Sequence, residues 1–309
     1  MAGIAWKLEQ LLARNTLSST LQVYLTGVAV TSAPWLLTTA VLVTLRLVAS
    51  DHATPAFVSV EQLIAVAYAT TLVLSAPVHV VLSRFTADRL YEKRLNLVGS
   101  PLWTVFACSL LAFLAVGVAI TAILGLPIEL AAPGAILTSI IAGQWLLLAV
   151  GGGMCSPAGV LGAFASGAAI SVVCALVLEE VAGLGARGYL TGFTFGQATA
   201  LTGMLVHILR SLPDEDARVP RALVRRAFRE YRLLACSAFA IHAAVWVDKL
   251  ATLALRGGGA AARLTNVSAL AWFSLIPTFA WTYVHVETAF YRAFVRYFRG
   301  IEAGAPLRD

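Results

Sequence analysis

Leu102–Leu124 reads LWTVFACSLLAFLAVGVAITAIL, twenty-three residues without a charged side chain. Crossing ~30 Å of hydrocarbon at a rise of about 1.5 Å per residue takes about 20 apolar residues. The stretch therefore predicts a transmembrane helix, and the rest of the chain repeats its character. Hydrophobic residues make up 59% of the 309 and charged residues only 12%, with a mean hydropathy of +0.83, whereas soluble domains carry about 25% charged residues. This is the composition of a polytopic membrane protein. The expected fold is an all-α transmembrane bundle, because lipid offers the backbone no hydrogen-bond partners and a helix satisfies every group within its own segment.

Working outward from that stretch, apolar windows predict eight spans. They run approximately Leu21–Val48, Val60–Leu82, Leu102–Leu124, Leu130–Val150, Ala158–Leu178, Tyr189–Leu209, Leu233–Leu255 and Ser268–Val286. The basic residues orient them, since cytoplasmic loops hold the Lys and Arg excess. With a cytoplasmic amino terminus, the first segment has two basic residues, 83–101 four, 151–157 none, 210–232 seven, and the tail after Val286 four. The opposite side holds Arg46, Arg187, Arg256 and Arg263. Both termini are thus expected in the cytoplasm. The net charge of +6 belongs to these loops, and the partner it implies is an anionic lipid surface, not a nucleic acid.

The same pattern sets an expected domain plan. Residues 1–19 form an amphipathic interfacial helix and residues 20–210 a six-helix lobe. Residues 211–232 form a basic loop, residues 233–290 two further spans, and residues 291–309 a cytoplasmic tail. Cys108, Cys155, Cys174 and Cys236 have no CxxC spacing, so neither a zinc site nor a disulfide framework is indicated. Gly151, Gly152 and Gly153 read as a turn, without the Lys-Ser/Thr of a phosphate loop, and there is no HExxH. No enzyme activity, metal or cofactor is expected.

Within the spans, Pro34, Pro77 and Pro277 each remove a helix hydrogen bond and are hinge candidates. Gly159, Ala163 and Gly167 recur every four residues, a spacing that lets helix backbones approach closely. Asp248 and Lys249 stand inside the apolar run Ile241–Leu255. Each charge costs at least ~2.5 kcal/mol at a helix centre. Sequence neighbours project about 100° apart on a helix, so they are expected to find partners elsewhere, with Arg46 available to Asp248 and Glu287 to Lys249. An interhelical salt bridge and a substrate or ion path both account for them. His242, seven residues before Lys249, shares its helix face, and Trp246 and Trp35 add aromatic surface. Arg84, Asp88, Arg89, Glu92 and Lys93 leave the second span as a charged, helix-like stretch, either a topology anchor or a cytoplasmic gate.

Six short motifs carry a family resemblance. They are Met1-Ala2-Gly3-Ile4, Ser32-Ala33-Pro34-Trp35, the stretch from Arg84 to Lys93, Trp246-Val247-Asp248-Lys249, Leu275-Ile276-Pro277 and Val286-Glu287-Thr288-Ala289-Phe290. In this order they resemble the PelG family of the multidrug/oligosaccharidyl-lipid/polysaccharide (MOP) flippase superfamily, inner-membrane proteins of bacterial Pel exopolysaccharide export. The chain departs from that pattern at His285, where the family has arginine, and at Ala289, where it has an acidic residue.

The resemblance implies two six-helix lobes around a central cavity, of which this chain would supply the first lobe and the start of a shortened second. Asp248, Lys249, Trp246, Trp35 and His242 would then line a polysaccharide path or carry its coupling. The charged cluster with Glu287 would form a gate. The implied partners are lipid, polysaccharide, a cytoplasmic glycosyltransferase and other inner-membrane or periplasmic Pel subunits. A membrane scaffold that docks the glycosyltransferase through residues 210–232, and a small-molecule antiporter, are the alternatives.

Overall fold

The structure, a computed structural model, describes residues 8–48, 55–154, 157–213, 221–256, 264, 267–268, 271 and 273–302, with the side chains at 29–31, 33–34, 152–154, 157, 180, 221, 253, 287 and 302 outside that description. Every regular element among these residues is helical. We number the helices α1 (Leu17–Val48), α2 (Pro55–Tyr91), α3 (Gly99–Ile123), α4 (Ile128–Met154), α5 (Pro157–Leu176, continued by the π-turn Val177–Val181), α6 (Gly185–Leu209), α7 (Arg221–Glu230), α8 (Arg232–Arg256) and α9 (Ile276–Glu302).

Against the eight windows of the sequence, five helical stretches among the described residues are long and apolar enough to cross a membrane. They are Pro55–Tyr91, Leu95–Ile123, Ile128–Gly151, Ala158–Glu179 and Arg232–Thr252; Trp35–Val48 is a shorter apolar stretch. α6 forms where a span was expected, but its Gly, Thr and Gln content lowers its hydropathy. α9 starts at Ile276 and runs to Glu302, later than the expected Ser268–Val286 and well into the expected tail. Pro277 lies in its first turn, where the missing N–H would have had no helical partner, so this proline opens a helix and does not interrupt one. The glycines at 151–153, read as a turn, continue α4 to Met154.

Contacts divide the chain into two compact units, Leu37–Val267, and Met1–Leu36 with Ser268–Asp309. The larger unit is organised by small residues, because lipid supplies no hydrophobic drive between helices and close van der Waals contact must do so. The stripe of α5 expected to admit a neighbour does so along α6. A Cβ on Gly167 would lie 2.6 Å from the Gly196 carbonyl oxygen, and one on Gly203 would lie 3.0 Å from Ala163 Cβ. Farther along, a Cβ on Gly188 would meet the Leu178 carbonyl carbon at 2.6 Å, and one on Gly192 would run into the backbone of Ala175. Leu63, Ile64, Leu137, Ile141, Leu190 and Phe193 fill one core where α2, α4 and α6 meet. Phe106, Leu147, Phe164 and Met204 anchor a second.

α7 was expected as part of a basic loop. Its Leu223, Ala227 and Phe228 pack on Val81 and Phe85 near the end of α2, and this apolar face stabilises a helix in a sequence otherwise rich in arginine. In the smaller unit, Leu8, Leu11 and Leu12 cluster with Val23 and Tyr24 of α1 and with Tyr283 and Val284 of α9, and Glu9 lies 3.5 Å from Arg292. The apolar face read as lipid-bound is turned onto protein, which buries it without a bilayer.

Candidate functional site

α8 carries the two membrane charges and packs along α2, antiparallel to it. Two cross-helix pairs fix the register: His79 with His242, ring centroids 5.8 Å apart, and Asp88 with Tyr231, whose hydroxyl donates to the carboxylate. Residue numbers rise along one helix as they fall along the other.

Asp248 and Lys249 pair with each other, contrary to the expectation from their angular separation. Lys249 Nζ lies 2.9 Å from Asp248 Oδ1 and 3.0 Å from Oδ2, and the Lys249 backbone N–H donates to Oδ1 at 2.8 Å. The four-carbon stem of lysine is long and flexible enough to fold back across the intervening arc. The side chains are unequally placed, Lys249 at 8% exposure and Asp248 at 52%. The ammonium also stands 5.6 Å from the centre of the Trp246 ring, within cation–π range. The arrangement is a buried cation whose counter-ion is half exposed at the helix surface.

Arg46, offered by the sequence as a partner for Asp248, lies 3.8 Å from Glu61 instead. Glu287 sits on α9 in the smaller unit, its side chain outside the described residues. Trp35 also belongs to the smaller unit, packed on Phe273 at 5.0 Å. Pro34 lies within α1, while Pro77 lies inside α2, two residues before His79. His242 directs Nδ1 to the Ala238 carbonyl at 2.8 Å, leaving its Nε2 edge away from its own backbone.

Ion pairs and a hydrogen bond cross-link the charged end of α2. Arg84 reaches Asp88 at 3.2 Å, Arg89 pairs with Glu92 and stacks on Phe85 at 5.3 Å, and Asp88 accepts from Tyr231. These pairings offset the Asp88–Glu92 repulsion that four-residue spacing sets up. Lys93 closes the helix with φ +57°. Its N–H bonds the Leu90 carbonyl at 3.1 Å while Arg94 bonds Arg89 at 2.9 Å, a Schellman arrangement without the usual glycine. The hydrogen bond to the Asp88 carboxylate, with burial second, raises the Tyr231 phenol above its ordinary value of 10.0.

A second polar group escaped sequence reasoning. Tyr68 donates to Gln197 Oε1 at 3.2 Å, Gln144 Nε2 donates to the same oxygen at 3.0 Å and to the Gln197 carbonyl at 2.9 Å, and Trp145 donates to Thr71 Oγ1 at 3.3 Å. These residues join α2, α4 and α6 inside the bundle. The available signal was two isolated glutamines in otherwise apolar spans. Among the described residues no cluster of three or more His, Cys, Asp or Glu could hold a metal ion.

A family model described as "PelG: Putative exopolysaccharide Exporter (EPS-E)" matches residues 1–309. No curated protein sequence matches significantly. Among solved structures, a MOP superfamily transporter from Pyrococcus furiosus, described as having a binding pocket of reverse polarity, aligns with TM-score 0.58 and 14% identity over 85% of this chain and 63% of its own. A MATE protein in complex with MaD5 aligns with TM-score 0.57 and 13% identity over 86% of this chain and 64% of that one. A MATE protein in a bent conformation aligns with TM-score 0.55 and 13% identity over 87% and 63%. The chain thus has the fold of these transporters and spans less than two thirds of their length.

Proposed function

The chain belongs to the PelG family of exopolysaccharide exporters, and from that premise we propose that it moves or gates an exopolysaccharide, or its precursor, across the bacterial inner membrane. A transporter fold and several membrane-spanning helices are the frame for this reading. Its chief support is Lys249, an ammonium buried in an apolar helix and held by a carboxylate that is itself half exposed. Replacing a buried ion pair by apolar residues is often neutral or stabilising, so bundle stability alone does not account for the pair. The half-exposed carboxylate of Asp248 suits a cationic amino sugar or a coupling proton, and the Trp246 ring suits a sugar face. The partners are a cytoplasmic glycosyltransferase and other inner-membrane and periplasmic Pel subunits.

Secretion measured in a strain carrying Asp248→Ala or Lys249→Ala tests the proposal. The expected outcome is loss of secreted polysaccharide with the protein still in the membrane at its normal level. Disappearance of the protein itself in both variants would assign the pair to bundle stability.

A scaffold reading is favoured by one observation: α7 docks by its apolar face and leaves Arg225, Arg226 and Arg229 exposed. Reversing those three charges would release the glycosyltransferase from membranes if α7 recruits it. Unchanged association would end that reading.

A further inference from the structure

We propose that the second half of α9, Phe290–Ile301, is an interfacial helix that docks on anionic phospholipid headgroups, with its aromatic side in the acyl boundary and its arginine side at the phosphates. Protein covers α9 only over its first half. Among its described residues Ala280, Val284 and Thr288 are buried, the first two against Gly27, whereas no residue from Ala289 to Ile301 is buried. The sequence of this second half sorts into two stripes. At 100° per residue Phe290, Phe294, Tyr297 and Ile301 fall within about 60° of one another, and Arg292, Arg296 and Arg299 fall together on the opposite side.

Both stripes are open. Phe290, Phe294, Tyr297 and Ile301 are 60%, 44%, 55% and 47% exposed, and the rings pack along their own helix, Phe290 on Phe294 at 6.2 Å and Phe294 on Phe298 at 4.4 Å. On the other side all three arginines are exposed. Arg292 lies 3.5 Å from Glu9, while Arg296 and Arg299 make no ion pair among the described residues.

Each stripe excludes one uniform surrounding. Water on every side leaves four large apolar groups hydrated, and hydrocarbon on every side strands guanidinium groups that have no counter-charge. A groove on another protein covers one side of a helix and leaves the other as it was. The boundary between acyl chains and headgroups satisfies both sides at once: the apolar stripe points inward, and the arginines donate paired N–H bonds to phosphate oxygens. Three cations on one face favour an anionic leaflet over a zwitterionic one. α9 also runs as one helix from the turns that protein holds into this segment, so the segment is delivered to the bilayer already helical and the folding cost of most interfacial helices is avoided. The inference concerns how the chain is seated in its membrane, and it stands or falls independently of the cargo.

Spin labels on the full-length chain in nanodiscs report what each side meets. They are placed one at a time through Phe294→Cys, Ile301→Cys or Arg296→Cys, with the four native cysteines replaced. The labels at 294 and 301 are expected to collide mainly with oxygen, which concentrates among acyl chains, and the label at 296 with a water-soluble nickel chelate. Nickel access at all three positions would overturn the proposal by placing the segment in water, and oxygen access at all three by placing it across the bilayer. Exclusion of both reagents at 294 and 301 would overturn it by showing protein, such as a second copy of the chain, on that face. Hydrogen exchange tests the lipid charge. In the parent, amides of residues 290–301 should exchange roughly tenfold more slowly in phosphatidylcholine nanodiscs containing phosphatidylglycerol than in phosphatidylcholine alone, because each arginine binds more tightly at an anionic surface. The variant Arg292→Gln/Arg296→Gln/Arg299→Gln should lose that difference, and high salt, which screens the same attraction, should abolish it in the parent without any substitution. Equal exchange in the two lipids, or a difference that survives high salt, would overturn anionic headgroups as the partner.

Discussion

Asp248 and Lys249 differ in what each leaves behind. Removing Asp248 strands a buried ammonium, whereas removing Lys249 leaves a carboxylate that is already half exposed. Asp248→Ala is therefore expected to lower stability by about 3 kcal/mol, and Lys249→Met by less. Thermal unfolding in detergent should order them so, and equal losses would show that the asymmetry of burial does not matter. Tyr231 supplies a pH dependence. Its phenol is raised above 10.0 by the Asp88 carboxylate, so its contribution is complete below about 10 and is lost as pH climbs through the raised value. Trypsin cleavage after Arg225 and Arg226 should stay equally slow from pH 7 to 9. Tyr231→Phe should speed it roughly fivefold, the effect of about 1 kcal/mol on local opening. The sequence exposed the unusual residues, since two charges in an apolar run are conspicuous. It concealed their geometry, because the reach of a lysine stem and the distant sequence partners of His242 and Asp88 leave no local trace.

Helices were legible wherever hydrophobicity and small-residue spacing pointed the same way. The α5 stripe of Gly159, Ala163 and Gly167 meets α6 as its spacing required. α7 was harder to read. Ten residues with four arginines resemble a solvated loop until Phe85 and Val81 are known to receive the apolar side. The α5–α6 contact gives a paired test. Gly192→Ala would force a methyl into the Ala175 backbone, while a Cβ on Gly162 meets nothing within 4 Å. The first substitution should remove most folded protein from the membrane. The second should be neutral or stabilise by about 0.5–1 kcal/mol, the gain from alanine in a helix interior. Comparable behaviour of the two variants by membrane level and thermal midpoint would contradict this packing.

At the scale of the molecule, composition alone established a membrane helix bundle, and six motifs indicated the family. The compact units were not legible. Charge drew the sequence division at residues 211–232, whereas contacts draw it at Leu36 and Ser268, because residues far apart in the chain meet at Gly27. A Cβ there would lie 3.1 Å from Val284 Cγ2 and 3.2 Å from the Ala280 carbonyl oxygen. Gly27→Leu should therefore speed hydrogen exchange in α9 and the first half of α1 while α2 to α6 keep their protection. Uniform acceleration would mean that the chain opens as one body. The α5–α6 contact also bears on how such a sequence can change over generations. Where one backbone rests on another at Gly167, Gly188, Gly192 and Gly196, substitution has nowhere to go, and variation is confined to outward positions such as Gly162. That hairpin has little freedom to drift, and it is a datum against which rearrangement elsewhere in the bundle could be recognised.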